Sequence, residues 1–246
     1  MPPIRARLET AADAEALAHR AAGWIAGLAA QSHGRFALCL SGGSTPRRLY
    51  QLLAKQPYAG RMPWDRVHWF WGDERFVPWD HPDSNYRMVR RALLAEVPIP
   101  AENIHGIETN GAPADAARGY ERVLKSFYET ETLDPERPLF DVILLGLGPD
   151  GHTASLFPGS AVLDERERWV AEVIGAKPEA RITLTYPALD SSRHSAFLVA
   201  GADKRAMLSR ALAGDPAVPA ARLNPVGDLT WFIDAAAAAA GMIVAS

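Results

Sequence analysis

The residue best suited to proton transfer in this sequence is His152. It lies in the glycine-rich segment Gly146-Leu147-Gly148-Pro149-Asp150-Gly151-His152-Thr153, directly after the apolar run Val142–Leu145. A neutral imidazole can accept a proton from water near pH 7, so a histidine held on such a loop is a candidate general base. A lone histidine is more often structural, but the glycines and the preceding apolar run favour a functional position, with Asp150 and Thr153 beside it.

A second segment has the residues that bind an anion. Ser41-Gly42-Gly43-Ser44-Thr45-Pro46 follows the apolar run Phe36–Leu40 and precedes a helical pattern. The glycines permit positive φ and close backbone approach, Ser44 or Thr45 can cap the helix, and Pro46 suits its first position. Backbone N–H groups at a helix N-terminus attract anions. No Gly-Lys-Ser/Thr follows, so a single phosphoryl group fits better than a nucleoside triphosphate. The alternative is an ordinary capped turn.

Charged side chains adjoin three further predicted strands. Asp73-Glu74-Arg75 follows Val67–Trp71, Arg181 begins a strand, and Lys204 follows another strand at the start of a helix. The helix dipole disfavours a cation at that end, and residues that break a local rule are concentrated at functional sites, so Lys204 is a candidate ligand contact. The alternatives are a surface salt-bridge cluster at 73–75 and a solvated lysine.

Several other chemistries have little support. The segment Gly146–Gly151 matches G-x-G-x-x-G, but Pro149 lies inside it and Pro158-Gly159 interrupts the helix that a dinucleotide-binding fold requires. The remaining histidines lack the spacing of metal ligands, so we expect no transition-metal site. There is no G-x-S-x-G nucleophile elbow, which leaves a serine-hydrolase triad without support.

These loops can form one site only if the strands before them share a sheet. Continuous apolar strands such as Val142–Leu145 are typical of a parallel sheet covered by helices. Strands alternate with helical patterns, which predicts an α/β fold with a doubly wound, mostly parallel sheet flanked by helices. In such sheets ligands bind at the carboxyl ends of strands near a topological switch point. The predicted strands are 36–40, 67–71, 104–107, 142–145, 169–173, 182–185, 196–200 and 230–233; the predicted helices are 11–30, 46–55, 84–95, 113–130, 203–213 and 234–240.

Composition places the chain among globular proteins. It has 246 residues, 48% of them apolar, with 29 acidic and 26 basic side chains and a net charge of −3. We expect one α/β domain over residues 1–246. The slightly acidic balance argues against nucleic-acid and anionic-membrane partners. Residues 1–7 lack the apolar core of a secretory signal and the terminal alanine run is short for a bilayer span, so we expect a cytoplasmic protein. Cys39 is predicted to be a buried small hydrophobe.

Three segments together resemble the signature blocks of the 6-phosphogluconolactonase family. They are Ser41–Pro46, Gly72-Asp73-Glu74-Arg75 with Ser84-Asn85-Tyr86, and the long block Gly146–Pro158. The segments 181–185, 201–204 and 229–234 resemble later blocks, so the likeness runs in order over about residues 35–240. The wider superfamily contains the glucosamine-6-phosphate isomerase/deaminases. The resemblance therefore implies a sugar-phosphate isomerase-like fold.

The resemblance implies hydrolysis of 6-phospho-D-glucono-1,5-lactone to 6-phosphogluconate, the second step of the oxidative pentose phosphate pathway, with no metal or organic cofactor. It makes His152 the base that activates water. It implies that the basic residues hold the phosphate and polarise the lactone, and it places Asp73 where deaminases carry a proton-transferring aspartate. The implied catalytic residues are His152, Asp73 and Arg75; the implied substrate and phosphate contacts are Ser41, Gly42, Gly43, Ser44, Thr45, Asp150, Gly151, Arg181 and Lys204.

Some points stay open at the level of sequence. Asp190 stands where the family has asparagine and Arg205 where it has a small residue, which puts substrate contacts at those positions in question. Which cation binds phosphate and which faces the carbonyl is undecided. The rival functions are an amino-sugar phosphate isomerase/deaminase, a sugar-phosphate sensor without catalysis and, least favoured, a nicotinamide oxidoreductase. The expected binding partner is a sugar phosphate lactone, and the expected oligomeric state is a monomer or a small homo-oligomer.

Overall fold

The strands of the main sheet are buried along their whole length in its centre. In the computed structural model, which describes residues 6–239, all five residues of β2 (Phe36–Leu40) are buried, as are nearly all of β3 (Val67–Trp71) and β6 (Phe140–Leu145). Such runs need apolar layers on both faces, which is the reason the sequence pattern predicted a parallel sheet. The run Trp69-Phe70-Trp71 is core, and Cys39 is buried, both as predicted.

Seven strands form that sheet, and every pairing in it is parallel. The remaining four are β1 (Ala6–Ala11), β5 (Ile104–His105), β9 (Ser192–Val199) and β10 (Asp228–Asp234), and the order is β1-β10-β9-β6-β2-β3-β5. From β2 the chain runs outward through β3 to β5, then returns to place β6 on the other side of β2. The topological switch point therefore lies between β2 and β6, where ligands bind in such sheets.

Six α-helices lie among residues 6–239 and connect the strands. They are α1 (Ala14–Gln31), α2 (Ser44–Leu53), α3 (Asn85–Val89), α4 (Pro113–Tyr128), α5 (Tyr186–Asp190) and α6 (Arg205–Leu212), and a π-helical segment at Arg90–Leu94 continues α3. Asp13 caps α1 by accepting from the backbone N–H of Ala16 at 2.8 Å. Within residues 6–239 no helix is long and apolar enough to cross a membrane.

A second, three-stranded antiparallel sheet was not predicted. It consists of β4 (Asp73–Arg75), β8 (Arg181–Leu184) and β7 (Val170–Val173) in the order β4-β8-β7. Gly72 joins the two sheets, because its N–H donates to the Leu40 carbonyl and its own carbonyl accepts from the N–H of Leu184. The sequence pattern indicated the strands at 169–173 and 182–185 but not that they leave the main sheet.

The sequence pattern also missed an edge strand of the main sheet and assigned one helix wrongly. The half-exposed edge strand β1 was missed because its alternating polar residues give no buried run. The predicted helix 234–240 is absent from its described part: Asp234 ends β10, residues 235–238 turn, and the Asp234 carboxylate accepts from the N–H groups of Gly201 and Ala237. Residue 240 lies outside the described residues. The buried apolar residues form one core, while a single domain over 1–246 stays a prediction.

Candidate active site

A cavity of about 340 Å³ opens at the switch point. Its walls are the loop after β2, the loop after β6, and side chains from the small sheet. Gly146 follows β6 and lies beside Ser41, which follows β2; a Cβ on Gly146 would be 3.7 Å from the Ser41 hydroxyl oxygen. The two loops that the sequence singled out therefore meet, as their positions after neighbouring parallel strands require.

The β2–α2 loop is held by a buried tyrosine. The Tyr50 hydroxyl donates to the Ser41 carbonyl at 2.8 Å and accepts from the Ser41 N–H at 2.9 Å. Burial raises the pKa of Tyr50 far above its usual value, so the hydroxyl stays protonated. This pair of hydrogen bonds fixes the direction in which the chain leaves the sheet and enters α2.

The start of α2 differs from the prediction. Gly43, at φ +108°, occupies the N-cap position, and Ser44 already begins the helix. The expectation that Ser44 or Thr45 caps the helix was therefore wrong, and Pro46 is its third residue. No side chain within residues 6–239 caps α2, which leaves the backbone N–H groups of its first turn directed at the cavity with the positive end of the helix dipole.

His152 lies against the cavity with one ring nitrogen occupied. Its Nδ1 is hydrogen-bonded to Asp150 Oδ1, and the Asp150 carboxylate also accepts from the His152 backbone N–H at 3.2 Å. Partial burial opposes ionisation of Asp150, but the hydrogen bonds from His152 prevail and lower its pKa. An ionised Asp150 holds the proton on Nδ1, so Nε2 is the nitrogen that can accept a proton.

A glycine makes room for that imidazole. A Cβ on Gly148 would lie 2.0 Å from His152 Nδ1, closer than any real contact. The Gly148 N–H donates to the His152 carbonyl at 2.8 Å, which closes the turn. The ring also packs against Phe157, with 4.8 Å between the ring centres. His152 is therefore held by Asp150, Gly148 and Phe157.

Asp73 is buried at the cavity wall and is bound by two neutral donors. Ser155 Oγ donates to Asp73 Oδ2 at 2.7 Å, and Asn85 Nδ2 donates to the Asp73 carbonyl at 3.0 Å. Its neighbour Glu74 has a different task. Glu74 accepts from Ser84 Oγ and from the first N–H groups of α3; burial raises its pKa, although these hydrogen bonds oppose the shift.

Two arginines face each other across the small sheet. Arg75 on β4 is directly opposite Arg181 on β8 in the antiparallel register, and both line the cavity. Like charges at opposed positions destabilise a strand pair. Arg75 donates to the Asp83 carbonyl at 2.9 Å. Arg181 donates to the Glu179 carbonyl at 3.1 Å, to Glu179 Oε2 at 3.4 Å and to the Ala180 carbonyl at 3.4 Å. The remaining positive potential is directed at the cavity and favours an anion there.

A family model described as glucosamine-6-phosphate isomerases/6-phosphogluconolactonase matches residues 12–231. The chain belongs to this family. Its 6-phosphogluconolactonase relatives include one from Nostoc sp., 46% identical over 216 residues that make up 86% of this chain and 87% of the relative. Another, from Synechocystis sp., is 45% identical over 82% of each chain.

Solved structures of the family have the same fold. The 6-phosphogluconolactonase from Thermotoga maritima superposes with a TM-score of 0.80 at 29% identity, covering 94% of this chain and all of that one. The enzyme from Trypanosoma cruzi gives 0.81 at 28% identity, covering 98% of each chain. A monomeric glucosamine-6-phosphate deaminase gives 0.79 at 20% identity, which shows a shared fold alone. The predicted fold class and family resemblance are confirmed.

Most residues predicted for the site line the cavity, although their individual roles stay predictions. Asp150 and Gly151 are not among the lining residues. Asp150 is turned towards the imidazole of His152, and Gly151, at φ +85°, packs against Met207 and Val218. The predicted residues that line the cavity are Ser41, Gly42, Gly43, Ser44, Thr45, Asp73, Arg75, His152, Arg181 and Lys204.

Sequence reasoning assigned no role to four lining residues with polar or aromatic side chains. Asn85 was seen only as part of a block, but a Cβ on Gly42 would be 2.2 Å from its Oδ1, so the two residues form one wall. Ser155 and Phe157 belong to the long third block, in which only His152 has an obvious chemistry. Lys177 follows β7 in a turn and had no signal of spacing. Asp190 does not line the cavity, so its departure from the family pattern does not touch the site.

Proposed function

We propose that this protein hydrolyses 6-phospho-D-glucono-1,5-lactone to 6-phosphogluconate, the second step of the oxidative pentose phosphate pathway. The observation that carries the proposal is the hydrogen bond from His152 to Asp150 beside a cavity that is lined by His152 and several cations. The pair supplies a general base with Nε2 free, and the cations suit a substrate that has a phosphate at one end and develops negative charge at the other. The curated relatives that support it are 6-phosphogluconolactonases, and this chain matches each of them over most of its length.

The chemistry needs no covalent nucleophile. His152 Nε2 takes a proton from water, the water oxygen bonds to C1 of the lactone, and the carbonyl electrons move onto its oxygen. The resulting alkoxide collapses, the bond between C1 and the ring oxygen breaks, and the ring oxygen receives a proton from the imidazolium. The product is a carboxylic acid that ionises. General-base assistance of this type contributes on the order of 10² to 10⁴ in rate.

The phosphate orients the ring for this attack. The first turn of α2, with Gly43 at its cap, offers N–H groups to a phosphate, and Lys204 lines the same cavity. Lys204 Nζ is 3.3 Å from Asp203, on the side exposed to solvent. Binding energy from a remote phosphate raises the rate by fixing C1 near the activated water.

The deciding experiment is turnover of enzymatically generated 6-phosphogluconolactone, with 6-phosphogluconate formation coupled to its dehydrogenase and corrected for spontaneous hydrolysis. We expect enzyme-dependent turnover. Ammonia release from glucosamine 6-phosphate is measured in parallel, because the deaminase rival would release it. Binding of the sugar phosphate with turnover of neither substrate would contradict the proposal and favour a sensor.

Location and assembly stay predictions from the sequence. The cyanobacterial relatives carry no location in their names, whereas one from Arabidopsis thaliana is described as chloroplastic. We infer a cytoplasmic enzyme. A monomer or a small homo-oligomer is the expected state, to be measured by light scattering.

A further inference from the structure

Lys177 lies on the turn between β7 and β8, where the small sheet reaches the cavity. It precedes Pro178, which restricts Lys177 to extended backbone and stiffens this part of the turn. The turn also contains Gly175 at φ +82° with open space around it, and Ile174 is 72% exposed. The ammonium group therefore belongs to a short turn that lines the cavity.

The partner of this ammonium is an aromatic ring. Lys177 Nζ is 5.1 Å from the centre of the Phe157 ring, a distance at which the ring quadrupole attracts a cation. Within residues 6–239 it has no acidic partner at salt-bridge distance. Among the other cations of the cavity, Arg181 has a carboxylate at 3.4 Å and Lys204 has one at 3.3 Å, while Arg75 donates to the Asp83 carbonyl. Lys177 therefore keeps its charge available to a ligand.

Phe157 also indicates which end of the substrate this charge meets. The same ring packs against the imidazole of His152, with 4.8 Å between ring centres. Lys177 and His152 therefore contact one side chain, and their separation cannot exceed the sum of these two distances. A cation so placed is on the side of the cavity where the water is activated.

We propose that Lys177 binds the C1 end of the substrate: it stabilises the alkoxide formed when water adds to the carbonyl and then holds the carboxylate of the product. The proposal rests on the proposed function. The alkoxide carries the charge that the carbonyl oxygen gains as the new C–O bond forms, and ring opening passes it on to the carboxylate. A positive group placed in advance at a developing negative charge lowers the barrier.

The test separates the carboxylate from the phosphate. Lys177→Met keeps an unbranched apolar chain on Phe157 and removes the charge, Lys177→Arg keeps the charge, and Lys55→Met removes the same charge from an exposed position outside the cavity. Calorimetry compares 6-phosphogluconate with glucitol 6-phosphate, which has the phosphate but no carboxylate. kcat and KM are measured on the phosphorylated lactone.

We expect Lys177→Met to bind 6-phosphogluconate about tenfold more weakly and to lose about tenfold in kcat, the scale of one charge-assisted hydrogen bond partly open to solvent. Its affinity for glucitol 6-phosphate should not change, Lys177→Arg should recover most of both losses, and Lys55→Met should match wild type. Equal weakening for both ligands would place Lys177 at the phosphate and overturn the proposal.

Two further outcomes separate the proposals. Lys177→Met indistinguishable from wild type in binding and in kcat, in an enzyme that hydrolyses the lactone, would overturn the role of Lys177 alone. Wild type that binds both ligands without hydrolysing the lactone would contradict the proposed function, and the binding comparison would still decide whether Lys177 meets the carboxylate.

Discussion

Replacing Gly148 by alanine tests whether the position of the imidazole, rather than its mere presence, sustains turnover. The new Cβ would lie 2.0 Å from His152 Nδ1 and 2.2 Å from Cε1, whereas ordinary contacts begin near 3.4 Å. The imidazole must therefore move by more than an ångström or leave Asp150. A misplacement of about 1 Å can cost on the order of 10²-fold in rate. We expect kcat to fall about 100-fold.

The fold should tolerate this change, because the atoms in conflict belong to the end of a side chain. KM, the melting temperature and the affinity for 6-phosphogluconate should stay near wild type. Gly146→Ala is the matched control: it lies in the same loop, its Cβ would be 3.7 Å from Ser41 Oγ, and neither glycine has a left-handed φ. The control should keep kcat within about twofold. Full activity of Gly148→Ala, or equal losses in both variants, would refute the reasoning.

Three further changes have defined outcomes. His152→Ala should lower kcat by at least about tenfold with little change in KM, since it removes the base; unchanged turnover after correction for spontaneous hydrolysis would exclude it. Lys204→Ala should mainly raise KM, and wild-type affinity for 6-phosphogluconate in calorimetry would show that it does not hold the phosphate. Burial raises the pKa of Asp190 from 3.8 to about 7 although the Asn224 N–H donates to it. The protonated carboxyl of Asp190 therefore contributes fully to the free energy of unfolding below about pH 4. As the pH rises from 4 to 7 the free energy of unfolding falls by up to about 4 kcal/mol. Asp190→Asn keeps the acceptor for Asn224 and should raise the melting temperature at pH 8 but not at pH 4; equal effects at both pH values would contradict the ionisation.

The predictable part of the fold is the part in which burial is uniform. β2 is apolar along its whole length, and β6 is apolar from Val142 to Leu145, which is the pattern of a buried parallel strand. β1 is a half-exposed edge strand, and β4 consists of three charged residues of which Asp73 and Glu74 are buried, so the same rule misses both strands. The C-terminal alanines favoured a helix by propensity, but the Asp234 carboxylate accepts from the Ala237 N–H and holds residues 235–238 in a turn.

The predictable part of the site consists of loops that directly follow a buried strand and contain a residue with an evident chemical role. Loops after parallel strands share an edge, so Ser41 and His152 could be expected in one cavity. The role of Asp150 could not be predicted from its position. A residue beside a catalytic histidine can either contact the substrate or orient the histidine. The hydrogen bond between Asp150 and His152 Nδ1 indicates the second role. The position of Lys177 in the cavity depends on how the turn between β7 and β8 packs against Phe157, and no residue spacing in the sequence predicts that contact.

The opposed pair Arg75 and Arg181 shows why a site of this kind also depends on strand register. Neither residue is unusual in sequence, and a shift of one strand by one residue would turn its arginine to the other face of the small sheet. In the observed register the two charges repel each other across the strands. An anion bound between them would reduce that repulsion and so would stabilise the small sheet.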